Sequence, residues 1–168
     1  MYRSVEGRRR NARETVVTRH EVVALARACR HRGVRALLRI AYYSGMRVGE
    51  IQSAQRVPGA FVLRDTKNGT AHIVPMHPAI STAARVPMPR RSVIDYWWPL
   101  ARAACGLEHV TLHDLRHSAA SAMIQAGVSL SDVGAVLNHK SPASTKRYAH
   151  WTLERKAAAV GKIGRKRG

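Results

Sequence analysis

The residues in this chain best able to do chemistry lie in the stretch Thr111-Leu-His-Asp-Leu-Arg-His-Ser118. Read as a helix, it puts His113 and Arg116 on one face, because a spacing of three returns nearly a full turn. Leu115, Ala119, Ala122, Met123 and Ala126 fall on the opposite side as a core-facing stripe. Thr111 suits an N-cap, and Asp114 supplies an acid in the first turn. A cation, an imidazole and the positive end of a helix dipole in one place favour an anion such as a phosphate. In isolation, a surface arginine with two surface histidines would look much the same. His113 and His117 also stand at i and i+4, where two imidazoles can share a zinc ion. The pair lacks the glutamate of a His-Glu-x-x-His helix and has no cysteine pair nearby, so no metal is assigned.

The chain that must position this helix has 168 residues, 45% of them hydrophobic, enough for one domain with its own core. Lys and Arg number 29 against 10 Asp and Glu, a formal charge of +19. Such an excess attracts polyanions, and nucleic acid is the usual polyanion for a basic domain. The runs Arg8 to Arg10 and Lys162 to Arg167 hold part of the excess, but basic residues outnumber acids through the body as well. Cys29 and Cys105 read as small buried hydrophobes of a reduced cytosolic protein, not as a disulfide framework. No apolar run approaches the roughly 20 residues of a membrane span, and no apolar segment follows the basic N-terminus, so the expected location is cytoplasmic.

Residues 1–17 are arginine-rich and aperiodic and read as a flexible arm or linker, residues 18–161 as the folded domain and 162–168 as a basic tail. Thr18 and Glu21 make a capping box for a first helix ending near Gly33, and a second runs over about 34–43 to Ser44-Gly45. A short helix starts near Arg47. Two strand-like runs, 60–64 and 70–74, flank Lys67-Asn68-Gly69, whose Asn-Gly is a strong hairpin signal. That places Lys67 beside the hairpin tip. Prolines then break the chain around one helical turn near 80–84, and residues 92–105 form a helix that Pro99 either kinks or starts late, after an irregular Tyr96-Trp97-Trp98. The tryptophans could stack on bases, but core packing is the commoner use. Beyond the 112–125 helix, Ser129 caps a shorter one that Asn138 closes in a left-handed turn, holding His139 at the exit. Ser141-Pro142 opens a helix carrying Tyr148, and a tail helix covers about 152–160.

Arg47, Lys67, His113-x-x-Arg116, His139 and Tyr148, in that order, resemble the catalytic domain of the tyrosine recombinases, the phage integrase family. The strings that carry the resemblance are Tyr43-Ser-Gly-Met-Arg-Val-Gly-Glu50, Leu112-His-Asp-Leu-Arg-His117, Leu137-Asn-His139 and Thr145-Lys-Arg-Tyr-Ala-His150. It covers about residues 18–155. Asn138 stands where the family usually has glycine, and residues 53–61 are shorter and less typical than the family's. Family members usually carry an N-terminal helical clamp domain for which there is no room before Thr18; an excised catalytic fragment is favoured over natural truncation.

The resemblance implies a mainly α (α+β) fold, a helical bundle with a small antiparallel hairpin on one edge. It implies site-specific recombination or integration through a 3'-phosphotyrosyl intermediate. Tyr148 is then the nucleophile, His113 takes its proton, and Arg47 and Arg116 fork onto the phosphate oxygens. His139 donates to the same oxygens and Lys67 protonates the departing 5'-oxygen, with no metal or other cofactor. The implied partners are double-stranded DNA, further copies of the chain as a tetramer on DNA with the tail helix docking on a neighbour, and accessory DNA-bending proteins. The localisation implied is the cytoplasm of a bacterium, phage host or other mobile-element carrier. The alternatives are a phosphotyrosine-type topoisomerase and a non-catalytic DNA-binding module derived from a recombinase.

Overall fold

Local capping signals set most helix starts in the computed structural model, which describes residues 15–64 and 71–139. Helix α1 (Arg19–Ala28) opens with the Thr18–Glu21 capping box. Helix α2 (Arg32–Ser44) begins at His31, whose ring accepts from the Val34 amide, so Gly33 lies in its first turn and does not end α1 as the sequence had implied. The α2 helix ends at Gly45, which is left-handed at φ 68°. A side chain on Gly45 would also strike Leu137 Cδ2, so glycine answers both a backbone and a packing demand there.

Eight residues of α2 are buried, and α1, helix α4 (Arg91–Ala104) and helix α5 (Leu112–Gln125) all pack on it. Leu25, Leu37, Leu38, Ile40, Ile94 and Leu115 are among the fully enclosed side chains of this core. Each contributes roughly 1.5–3 kcal/mol relative to exposure. Cys29 belongs to the same core. Burial pushes its thiol up, outweighing the backbone hydrogen bond at His31 and the nearby Arg35 that pull it down, and leaves a small inert hydrophobe.

After the short helix α3 (Val48–Ser53) come three antiparallel strands, β1 (Gln55–Val57), β2 (Ala60–Leu63) and β3 (His72–Pro75), in the order β1-β2-β3. Strand β1 is the one the sequence did not announce. It has three residues and pairs as Val57↔Ala60 and Gln55↔Val62 around Pro58-Gly59, with Gly59 at φ 76°. Phe61, Leu63 and Val74 face the core, whereas Ile73 is on the solvent side. The hairpin tip with Lys67 lies outside the described residues, as do residues 1–14 of the 1–17 arm, the Ser141-Pro142 helix, Tyr148, and the 152–160 and 162–168 tail, whereas Val17 at the arm's end is buried in the core.

Where one helical turn was expected, two 3-10 turns occur, Pro78–Ile80 and Ala83–Arg85. Helix α4 is continuous through Pro99 and does not start late, so Tyr96, Trp97 and Trp98 are helical and not irregular. Trp98 is buried, and Arg102 stacks over it at 5.3 Å while donating to the Glu108 and Val110 carbonyls. That indole therefore serves packing. Helices α5 (Leu112–Gln125) and α6 (Leu130–Val136) complete the bundle. Among the described residues no helix is long and apolar enough to cross a membrane.

Candidate active site

Thr111 caps α5 through a reciprocal box with Asp114, which fixes where His113 and Arg116 leave the helix. The apolar stripe expected on one side of α5 does not describe it. Leu115, Arg116, Ser118, Ala119, Ala120, Ser121 and Ile124 are all buried, while Ala126 is exposed. Ser118 accepts from the Val17 amide at 2.7 Å and donates to the Asp114 carbonyl, tying the segment before α1 to α5.

Arg116, expected on an open face, is only 3% exposed. Its Nη1 donates to the Gly45 carbonyl at 2.8 Å and its Nη2 to the Leu137 carbonyl at 2.6 Å. Gly45 is two residues before Arg47, and Leu137 is two before His139. One guanidinium therefore fixes the end of α2 against the end of α6 and brings the segments of Arg47 and His139 to itself. Both ends have free carbonyls because helices terminate there, and a charged donor satisfies two of them at once.

Arg47 is the N-cap residue of α3 and half exposed. Its Nη1 lies 2.7 Å from Glu50 Oε1, and its amide donates to Glu50 Oε2 at 2.8 Å. Glu50 Oε2 is also 3.6 Å from Arg116 Nη1, so one carboxylate stands between the two guanidinia. The one sign of this role along the chain is the Arg47-x-x-Glu50 spacing. Replacing Glu50 with alanine is expected to cost about 1 kcal/mol, the usual worth of a capping interaction that is partly exposed. In a thermal melt this reads as a drop of roughly 2–4 °C.

His139 follows Asn138, which takes the expected left-handed turn at φ 50°, and its amide donates to the Gly134 carbonyl at 2.9 Å. His113 is exposed on the first turn of α5, its ring edge-on to His117 with centroids 4.6 Å apart. From β3, His72 Nε2 meets the Val136 carbonyl at 3.1 Å, the residue before the one Arg116 holds. The strand leading back to the Lys67 hairpin is thus fastened to the same helix end as His139. No sequence signal pointed to His72, because its partner is 64 residues away.

A buried arginine spanning two helix ends, with a second arginine and a histidine on the segments it joins and another histidine on its own helix, fits a fold already known among solved structures. The catalytic domain of bacteriophage HP1 integrase superposes with a TM-score of 0.70, covering 92% of this chain and 99% of that one at 19% identity. The sequence profile of the phage integrase family matches residues 81–155. The chain carries a phage integrase family domain over those residues. Tyrosine recombinase XerC of Pelobacter propionicus is 27% identical over 146 residues, 72% of this chain and 48% of that protein. XerH, solved on a palindromic difH substrate after cleavage, superposes with a TM-score of 0.65 at 17% identity, covering 89% of this chain and 53% of XerH. The chain spans about half the length of the curated relatives it matches. Its fold is that of the tyrosine recombinase catalytic domain, mostly helical with a small antiparallel sheet.

Proposed function

We propose that this chain is the catalytic portion of a site-specific DNA recombinase that breaks and rejoins strands through a covalent phosphotyrosine. The observation that carries the reading is the Arg116 guanidinium, which joins the segments of Arg47 and His139. The phenol oxygen of Tyr148 attacks the scissile phosphorus, and the bond from phosphorus to the 5'-oxygen breaks. His113 accepts the phenol proton and Lys67 gives one to the departing oxygen, so one phosphodiester is exchanged for another and no outside energy is used. Arg47 and Arg116 stabilise the charge on the non-bridging oxygens through planar, forked donors, and His139 adds a further hydrogen bond. Arginines in these roles supply the positive charge that a divalent ion would otherwise bring.

The partner is duplex DNA, in keeping with the +19 charge and with the difH substrate on which XerH was solved. The working assembly is a tetramer of protomers on paired sites, joined by accessory DNA-bending proteins, in the cytoplasm where that DNA lies.

A duplex selected for binding from a random pool, then nicked beside the scissile position, tests the reading. The expected product is a protein–DNA adduct that survives denaturation and forms equally well in excess chelator. Proven binding without an adduct would leave a DNA-binding module. Relaxation of a supercoiled plasmid lacking the selected site would favour a topoisomerase.

A further inference from the structure

Helix α6 ends with the carbonyls of Val136 and Leu137, which a helix cannot bond within itself. Each meets a side chain from another element. Arg116 of α5 donates from Nη2 to the Leu137 carbonyl at 2.6 Å, and His72 of β3 meets the Val136 carbonyl at 3.1 Å. A carbonyl only accepts, so the His72 ring donates through its Nε2–H. The ring stands on a fixed base: His72 pairs with Leu63 of β2 and lies two residues before the buried Val74, on the same inward face of β3. Past the two carbonyls the chain closes tightly. The Asn138 amide donates to the Ala135 carbonyl at 3.1 Å, Asn138 turns left-handed, and the His139 amide returns to the Gly134 carbonyl at 2.9 Å. The His139 backbone is thus tied to the end of α6, and that end is tied to α5 by one side chain and to the sheet by another.

We propose that His72 is a positioning residue for the strand-cleavage step, holding the exit of α6 so that the His139 imidazole meets the phosphate oxygens. The proposal rests on the reading of His139 as a donor to those oxygens. Val133 and Leu137 pack α6 against Ala120 and Ile124 of α5, but apolar contact is non-directional and leaves a helix of seven residues free to rock. The Arg116 bond to Leu137 fixes one point on it. A second directional bond, one residue earlier and from a different element, fixes how the exit turns about that point. Orientation matters here because a donor acts on transition-state charge only when it is already aimed at the oxygen. His72 does this without touching DNA.

The test measures adduct formation by the full chain on the nicked duplex, at a temperature where thermal melts show every variant folded. His72→Leu is expected to slow it about tenfold, the scale of a donor displaced and not deleted, with duplex affinity within about twofold of the parent. His72→Gln, whose amide nitrogen reaches the place of Nε2, should restore the rate to within about threefold of the parent. His72→Asn is too short to reach and should stay slow, and it replaces leucine if that variant does not fold. The deciding readout is a double-mutant cycle. Once His139→Ala has removed the group being placed, the His72 change should slow the adduct by less than about a further twofold, whereas on Lys67→Ala it should keep its effect of about tenfold. A merely structural role would lower the melting temperature and leave the rate of the folded variant at the parent level, which overturns the proposal. An effect that persists in full on His139→Ala also overturns it, and one that vanishes on Lys67→Ala instead would assign His72 to the hairpin leading into β3. If His139→Ala itself reacts at the parent rate, the reading of His139 as a donor fails and the proposal with it.

Discussion

Replacing Tyr148 with phenylalanine is expected to abolish the covalent adduct on the nicked duplex while leaving duplex affinity within about twofold. The change removes one oxygen, and that oxygen is the atom proposed to bond to phosphorus, so no slower version of the same step remains. A loss of at least about 10⁴-fold is the expected scale when the nucleophile itself is deleted. Binding rests on a different physical term. Many basic side chains releasing counterions from the backbone supply it, and a single uncharged hydroxyl contributes little to that sum. The same experiment separates the chemistry from the charge: raising salt should weaken both proteins' affinity along the same slope, while only the parent chain yields an adduct. If the phenylalanine variant still forms one, the nucleophile is elsewhere and the assignment of Tyr148 fails. A parallel loss of binding would instead give the hydroxyl a part in holding DNA.

What could be read along the chain was local. The capping pairs Thr18 with Glu21 and Thr111 with Asp114, the Ser129 cap and the left-handed Asn138 all act within a few residues, and each stands where its spacing placed it. The hidden features depend on groups far apart. Arg116 read as a site residue on the face turned away from the core, yet it is buried and its partners are carbonyls 71 and 21 residues away. The burial of α5 on nearly every side likewise follows from α2 and α6 closing over it, and its small alanines and serines permit this without announcing it. Strand β1 escaped notice since three residues, none of them buried, carry almost no alternation, and only the Pro58-Gly59 turn gives them a partner. The residue types of the candidate site were thus legible, whereas the division of labour between its two arginines was not.

That division leads to the second large effect. Arg116→Ala is expected to cost about 3 kcal/mol of stability, because it leaves the Gly45 and Leu137 carbonyls without their charged donor in a buried place. For a chain of this size the melting temperature should fall by roughly 6–12 °C. Adduct formation, measured well below the variant's own transition, should fall at least about 10³-fold, since the donor proposed for the transition-state oxygens is lost as well. Arg116→Lys should recover part of the stability and little of the rate, because one ammonium cannot span two carbonyls and still face a phosphate. Arg47→Ala provides the contrast. Its side chain is half exposed and bonded chiefly to Glu50, so the rate should fall by a similar factor while the melting temperature moves only about 2–4 °C. Equal melting temperatures for the two alanine variants would mean that Arg116 does not hold α2 and α6 together, and with that the physical reason for the convergence of Arg47 and His139 would go.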